Sequence, residues 1–259
     1  MSVDTLLVLL EFTGVAPDRT LRQAIPDRPK GRTLVIDPIN SVPNMSYRPL
    51  SETASKIAAQ IASRDVNRVA IAGACVAANL LGPVTAHLAA VGCQLPVVTA
   101  ISPQIITQDE FQKAVVKVFM NLGCAADQLP DGITEAARNS RPEDVLASVS
   151  ALMEGWLRHY MDDAGFGNLE ENELCQELLQ RYGKWLSLLQ SCMHYDQKSP
   201  VPETTDLFIE NWDAEEMQRT WGACANYHIY EMTDNIGLLQ DPRLETDLRE
   251  LLGRAGCVL

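Results

Sequence analysis

The sequence predicts an α/β fold in which a mostly parallel sheet is interrupted by a helical insertion. Segments typical of strands and helices alternate over the first hundred residues and again after Pro200, whereas the stretch between carries only helical patterns. The chain has 259 residues, of which 46% are hydrophobic, enough for one sizeable core. We therefore expect a single structural domain made of a first sheet half (1–103), a helical lid insertion (104–200) and a second sheet half (201–259).

Two strands and a helix are predicted at the start of the chain. Thr5–Phe12 and Thr33–Asp37 are runs rich in Leu, Val and Ile, bounded by Gly, Pro and Asn. Such runs are typical of strands buried on both faces of a parallel sheet. Ser51–Ser63 carries Ile57 and Ile61 at helical spacing among alanines, which favours an amphipathic helix.

A strand, a turn, a helix and a further strand come next. Arg68–Ala72 is a short apolar run that leads directly into residues 73–92, a segment rich in small residues and predicted to be helical. Leu95–Ile101 is the following strand pattern. This order of elements implies a crossover connection and a parallel sheet.

The insertion consists of three long segments with apolar residues at helical spacing and charged opposite faces, namely Thr107–Gly123, Arg141–Ala164 and Glu170–Tyr195. After them the alternating pattern resumes. It predicts strands and helices in turn at Thr205–Ile209, Ala214–Ala223, Asn226–Met232 and Asp241–Leu252. One sheet with one helical insertion accounts for the whole pattern better than two separate domains.

Charge and composition exclude several classes of protein. The formal net charge of -13 argues against a nucleic-acid partner, because phosphate binding depends on clusters of Lys and Arg. The apolar run that follows Asp4 is too short to span a bilayer and lacks the layout of a signal peptide, so we expect no membrane association and a cytoplasmic location. The seven cysteines show no Cys-x-x-Cys spacing, which predicts thiols and neither a metal site nor a cofactor.

The candidate site is the segment Gly73-Ala74-Cys75-Val76-Ala77, which lies between a predicted strand and a predicted helix. The nucleophile elbow of α/β-hydrolases reads Gly-x-Ser-x-Gly in the same context, with small residues because the turn is sharp. Here cysteine replaces serine and Ala77 replaces the last glycine. The pattern therefore predicts an α/β-hydrolase-like fold with Cys75 at the nucleophile position. The alternative is that Cys75 is a small buried thiol where a strand meets a helix.

Most of the chain resembles the thioesterases of polyketide and non-ribosomal peptide assembly lines, especially the free-standing type II forms. Residues 68–104 resemble the elbow helix and following strand of that family, with its usual serine falling on Cys75. The insertion resembles the helical lid. Residues 205–221 resemble the later strand and its acid, and residues 227–252 resemble the last strand, the histidine loop and the C-terminal helix. The resemblance implies a phosphopantetheine-linked acyl or peptidyl carrier protein as partner.

The sequence also departs from that family. The catalytic histidine falls on Asn235, and Ala100-Ile101-Ser102 stands where an alternative acid would follow the strand after the elbow helix. The other acid position falls near Asp213. His228, in the last predicted strand, is a candidate base that lies short of the usual histidine loop. Asn235 can orient a substrate or a water molecule but cannot take a proton.

A cysteine requires less activation than a serine, and this decides the predicted chemistry. Its ordinary pKa is near 8.5, and a helix N-terminus at Cys75 is expected to lower it. A thiolate can accept an acyl group from a carrier-bound thioester without a base, while the N–H groups of Val76 and of a residue in the loop that begins at Thr13 form the oxyanion hole. Water is a poor second acceptor without a base, so transfer or cyclisation is expected over hydrolysis.

Two other functions fit the same residues. The replacement of the histidine is also expected of a catalytically degenerate thioesterase-like protein that binds a partner or acts as a scaffold. Alternatively, Asp213, His228 and Asn235 line the pocket of a non-covalent cyclase or lyase on the same fold.

Overall fold

The computed structural model describes residues 5–12, 20–25, 32–138, 141–165, 172–195, 202, 205–221, 226–232 and 237–257. Its strands form a sheet in the order β2-β1-β3-β4-β5-β6, and every pair of neighbouring strands is parallel. The strands are β1 (Leu6–Leu10), β2 (Thr33–Ile36), β3 (Arg68–Ala74), β4 (Gln94–Ile101), β5 (Thr205–Glu210) and β6 (Asn226–Tyr230). This sheet, flanked by helices, confirms the predicted α/β fold class.

The described residues divide into two compact units. The first comprises the described parts of 1–41, 50–104 and 196–259, and it holds the sheet. Its helices are α1 (Leu21–Ala24), α2 (Leu50–Ala62), α3 (Leu81–Ala90), α8 (Ala214–Trp221) and α9 (Pro242–Arg254).

The second unit comprises residues 42–49 and the described parts of 105–195. Its helices are α4 (Gln108–Asn121), α5 (Ile133–Ala136), α6 (Pro142–Ala164) and α7 (Glu173–Met193). Residues 42–49 precede α2 in the chain, yet they pack within this helical unit. The hydroxyl of Ser191 donates to the carbonyl of Arg48 at 2.6 Å, Ser187 donates to the carbonyl of Ser46, and Gly183 leaves room for Met45.

The central strands are apolar because both faces of the sheet are covered. Residues 7–10 of β1 are fully buried, and the interior of β3 is buried throughout. On one face, Leu21 of α1 and Leu244 and Leu248 of α9 join the side chains of β1 and β3 in a single hydrophobic cluster. The edge strands are less covered, and Ile229 of β6 is 48% exposed. Within the described residues, no helix combines the length and hydrophobicity needed to cross a bilayer.

Candidate active site

Cys75 lies at a strained turn between β3 and the next helical segment. Its φ is +51°, a left-handed conformation that costs a side-chain-bearing residue roughly 1–2 kcal/mol. A 3₁₀ turn over Cys75–Leu80 follows immediately, and α3 begins at Leu81. A nucleophile elbow is likewise a sharp, strained strand-to-helix turn that exposes its side chain at the top of the sheet. The backbone at Cys75 therefore has the geometry that this site requires.

Gly73 permits the turn because the chain passes very close to it. A Cβ at Gly73 would lie 3.1 Å from the Cα of Ala78 and 3.2 Å from the carbonyl oxygen of Ala77. Both contacts are to backbone atoms, which cannot rotate away. The close approach of neighbouring backbone is the physical reason for small residues around an elbow.

The segment after Cys75 is not the continuous α-helix that the sequence analysis predicts. Pro83 has no N–H to donate to the carbonyl four residues earlier, at Asn79, and its ring would collide with that carbonyl in an α-helix. The chain instead forms a 3₁₀ turn through Leu80 and begins α3 at Leu81, which places Pro83 in the tolerated first turn. Hydrogen-bond geometry is poorer in a 3₁₀ turn, so the dipoles at Cys75 are less well aligned.

The expectation of a low pKa at Cys75 is wrong. Burial of the thiol, and after it the negative charge of Glu210, raise the pKa of Cys75 to about 11. The side chain is tucked against the hydrophobic cluster of the sheet, where a thiolate would lose most of its hydration. At pH 7 only about one thiol in ten thousand is then ionised.

Glu210 is a candidate site residue that the sequence analysis missed. It is the last residue of β5 and only 5% exposed. Its carboxylate oxygens accept from the hydroxyl of Ser102 at 2.8 and 3.0 Å, and Oε1 also accepts from the N–H of Leu238 at 3.3 Å. Ser102 belongs to the segment Ala100–Ser102, where an alternative acid was expected, so β5 supplies a carboxylate beside the place where the end of β4 lacks one.

Hydrogen bonds from the loop that follows β4 also stabilise the turn at Cys75. Ser102 has a φ of +43° and donates its N–H to the carbonyl of Phe208 at 2.8 Å. Two residues later, the N–H of Gln104 approaches the carbonyl of Cys75 at 3.4 Å. The buried amide of Asn79 donates to the carbonyls of Val76 at 3.1 Å and Gln104 at 2.9 Å. These bonds tie the turn after Cys75 to the loop that leaves β4.

Asp213 ends the short 3₁₀ turn that follows β5 and is partly exposed. Burial raises its pKa, and the carboxylates of Glu210 and Glu216 raise it further. The structure therefore places Asp213 close to Glu210, as a second carboxylate at the same end of β5. Glu210 and Asp213 therefore lie at the same edge of the sheet as Cys75, because β3 and β5 run parallel and their carboxyl ends meet at that edge.

His228 is placed away from Cys75. It lies in the middle of β6, which is separated from β3 by β4 and β5, so the two strands are about 14 Å apart. Its Nε2 is 3.1 Å from Oδ1 of Asp206, and its ring stacks on Phe208 with centroids 4.3 Å apart. The geometry thus gives His228 a partner in Asp206.

The other three histidines are either exposed or in contact with residues outside the candidate site. His87 is exposed on α3, His159 on α6 lies 3.3 Å from Asp163, and His194 meets the edge of the Tyr47 ring just after α7. Within the part of the chain that is described, no group of three or more His, Cys, Asp or Glu side chains could hold a metal ion.

Of the two residues predicted for the oxyanion hole, the structure describes only Val76. Val76 is the second residue of the 3₁₀ turn and is buried, and N–H groups at the start of a helical segment have no acceptor within that segment. Its N–H therefore suits a developing oxyanion. Thr13 and Asn235 lie outside the described residues.

The fold is shared with solved thioesterases. The Vlm2 thioesterase domain with bound dodecadepsipeptide matches with a TM-score of 0.51 and 14% identity, over 99% of this chain and 94% of that one. RedJ, the thioesterase of the prodiginine pathway in Streptomyces coelicolor, matches with a TM-score of 0.51 and 16% identity, over 97% and 91%. The NocB thioesterase domain of the nocardicin cluster gives 0.51 and 13%, over 96% and 94%.

The chain therefore has an α/β fold like that of these solved thioesterases. At these identities the likeness extends to the fold and assigns no catalytic residue. The sequence matches no protein-family model, and no curated protein is similar to it at a significant level. Roles for Cys75, Glu210 and Asp213 on the thioesterase fold must therefore be argued from their own geometry.

Proposed function

We propose that this chain is a thioesterase-like acyltransferase that takes an acyl or peptidyl group from a carrier protein onto Cys75. The observation that carries the proposal is the left-handed backbone of Cys75 at the end of β3. Strained side-chain-bearing residues cluster at active sites, where the strain aims a reacting group. A thiol that served only to fill space would gain nothing from that conformation.

The first half-reaction is an exchange of one thioester for another. The Cys75 sulfur attacks the carbonyl carbon of the phosphopantetheine thioester, and the carrier thiol leaves. The exchange is close to thermoneutral because the bond formed and the bond broken are of the same kind. The N–H of Val76, together with an N–H from the segment that begins at Thr13, stabilises the tetrahedral oxyanion.

The second half-reaction favours transfer or cyclisation over hydrolysis. Water is a weak nucleophile unless a base activates it, and Asn235 in the place of the usual histidine cannot act as a base. An amine or hydroxyl of the substrate is a better acceptor, which Asn235 orients by hydrogen bonds while Asp213 lends negative charge. His228 has no part in this scheme, because its ring is held by Asp206.

Several neighbours support this choice of substrate class. The Vlm2 thioesterase domain holds a dodecadepsipeptide, and a further neighbour with a TM-score of 0.53 is part of a four-domain non-ribosomal peptide synthetase. Both neighbours concern peptides, and a peptidyl group on a carrier protein is held as a thioester. We extend this chemistry to the present chain as part of the proposal.

Intact-mass analysis after incubation with an acylated carrier protein tests the proposal. We expect one adduct of the acyl mass, mapped to Cys75, which disappears in Cys75→Ala. Cys93→Ala is the matched control, since Cys93 is a partly buried thiol just before β4 with no place in the mechanism. Absence of any adduct on Cys75, with turnover unchanged in Cys75→Ala, would contradict the acyl-enzyme.

One observation favours a second function, that of a partner-binding protein without catalysis. With its pKa raised to about 11, the thiol of Cys75 is almost entirely neutral at physiological pH. A binding protein should retain its affinity for the carrier protein in Cys75→Ala and release no product from the acylated carrier. Calorimetry with the unloaded and the acylated carrier separates this outcome from the first.

A further inference from the structure

A buried carboxylate and the candidate nucleophile meet at the same edge of the sheet. Ala74 of β3 pairs with Ile101 of β4, which pairs with Phe208 of β5. Cys75 and Ser102 each follow their paired residue directly, and Glu210 lies two positions beyond Phe208. Two strand spacings, about 10 Å between backbones, therefore separate Cys75 from Glu210, with Ser102 between them.

The hydrogen bonds to Glu210 hold its carboxylate in place but leave it at least one free acceptor position. The Ser102 hydroxyl carries one proton and donates to one carboxylate oxygen at a time, and the Leu238 N–H donates to Oε1. A carboxylate has about four acceptor positions, so at least one remains for another proton. Among the described residues, Glu210 is the one charged group whose field acts appreciably on the Cys75 thiol.

We infer that Glu210 is the proton acceptor for the Cys75 thiol during acyl transfer, and that Ser102 is the positioning residue that aims its carboxylate. The inference rests on the proposed function and adds to it a proton acceptor for the first half-reaction alone, the loading of Cys75. The thiol and the carboxylate do not hydrogen-bond in the substrate-free protein. Catalytic contacts are often long in that state, and the proton moves directly or through one water once substrate is bound.

The step balances in atoms and charge. As the Cys75 sulfur forms its bond to the thioester carbonyl carbon, the thiol proton passes to a Glu210 oxygen. When the carbon–sulfur bond to the carrier breaks, the same proton passes from Glu210 to the departing thiolate. The products are the acyl-Cys75 thioester and the free carrier thiol, and Glu210 is again a carboxylate. Transient transfer is enough, so a full population of thiolate is not required.

This route has its own pH dependence. The reacting state holds a neutral thiol and an ionised carboxylate, and the thiol stays neutral well below the pKa of Cys75, about 11. Acyl loading through Glu210 is therefore nearly constant from pH 6 to pH 9. Alkylation of Cys75 by iodoacetamide consumes the thiolate and should instead rise about tenfold per pH unit over the same range.

Glu210→Gln separates a base from a nearby charge. The amide keeps the shape of the side chain and removes both the negative charge and the ability to take a proton. Alkylation of Cys75, followed by peptide mass spectrometry, becomes faster because the pKa of the thiol falls. Acyl loading from the acylated carrier protein at pH 7 becomes slower by on the order of a hundredfold, and its rate acquires the tenfold rise per pH unit.

Glu215→Gln is the matched control, because it removes an equal charge from the exposed surface of α8 and should leave both rates unchanged. Ser102→Ala should lower the loading rate while the loading profile stays flat, since the carboxylate remains but is less well aimed. If Glu210→Gln destabilises the fold, the flat loading profile and steep alkylation profile of the unaltered protein still decide the matter.

The outcomes that overturn the inference differ from those that overturn the proposed function. No acyl-Cys75 in the unaltered protein at any pH removes the proposed function itself. Acyl-Cys75 that forms equally fast or faster in Glu210→Gln, or whose formation follows the alkylation profile, leaves the acyl-enzyme standing and removes Glu210 as the base.

Discussion

The hydroxyl of Ser102 donates a hydrogen bond to the carboxylate of Glu210 at 2.8 Å. The bond connects the residue that follows β4 to the last residue of β5. The pair places a buried carboxylate at the carboxyl edge of the sheet, and no Arg or Lys of the described part of the chain is among its hydrogen-bond partners. That charge and the burial of the thiol both keep Cys75 protonated at rest. The site is thus built to hold a neutral thiol beside a carboxylate.

Gly73→Ala should destabilise the fold by about 1–3 kcal/mol, because the added Cβ meets backbone atoms at 3.1 and 3.2 Å. Urea unfolding measures the change. Gly155→Ala is the matched control in the interior of α6, where the new Cβ meets nothing within 4 Å. It should stabilise the protein by roughly 0.5–1 kcal/mol through helix propensity. Equal effects at both positions would contradict the close approach at the elbow.

Cys75→Gly should be at least as stable as Cys75→Ala, although glycine usually weakens a folded chain. The reason is the φ of +51°, which glycine adopts freely and alanine adopts at a cost of roughly 1–2 kcal/mol. The same pair of substitutions at Cys93, which lies outside the positive-φ region, should show the ordinary order, with alanine the more stable. Thermal unfolding of the four variants checks both orders.

Asn79→Ala should cost about 1–3 kcal/mol of unfolding free energy, because it leaves the carbonyls of Val76 and Gln104 without their buried donor. It should also slow acyl loading of Cys75, since the loop after β4 is no longer tied to the turn. Asn79→Asp tests the same donor, because a carboxylate cannot supply the two N–H groups. A variant with full stability and a normal loading rate would show that the tie is dispensable.

Because the thiol of Cys192 is buried, we expect the free energy of unfolding to fall in alkaline solution. Burial raises the pKa of Cys192 to about 12 from the value of 9.0 for an unperturbed thiol. The folded state therefore keeps this proton more tightly than the unfolded state does. The resulting stability is fully present below pH 9 and is lost as the pH rises from 9 toward 12, by up to about 1.4 kcal/mol per unit.

Urea unfolding of the unaltered protein and of Cys192→Ala between pH 7 and pH 10.5 measures this loss. At pH 7 the difference between them reports packing alone. That difference should shrink as the pH rises, because only the unaltered protein has a Cys192 thiol that ionises more readily in the unfolded state than in the folded state. A difference that is constant with pH would contradict the raised pKa of Cys192.

The sheet could be predicted because β1, β3 and β4 are apolar runs whose pattern arises from burial on both faces. The elbow could be predicted because Gly73, Cys75 and Ala77 reflect a local crowding of the backbone. Glu210 could not, since Asp213, Glu215 and Glu216 follow it closely and the sequence does not say which acid is buried. A carboxyl directly at the end of an apolar strand was the only signal.

The charge state of Cys75 was out of reach for a related reason. The prediction used a local effect, the start of a helix, whereas the pKa is set by burial and by a carboxylate from a strand far along the chain. The break at Leu81 was nevertheless visible in the sequence, because Pro83 removes a donor that a continuous helix requires.

The bonds from Ser187 and Ser191 to residues 46 and 48 bear on any attempt to graft the helical unit onto another scaffold. A transplant of residues 105–195 alone would leave out residues 42–49. Ser187 and Ser191 of α7 would then lose their hydrogen bonds to residues 46 and 48, and Gly183 would lose its contact with Met45. The helical unit is therefore discontinuous in the chain, and recombination between related chains at the ends of the helical stretch would mismatch its two pieces unless both crossed over together.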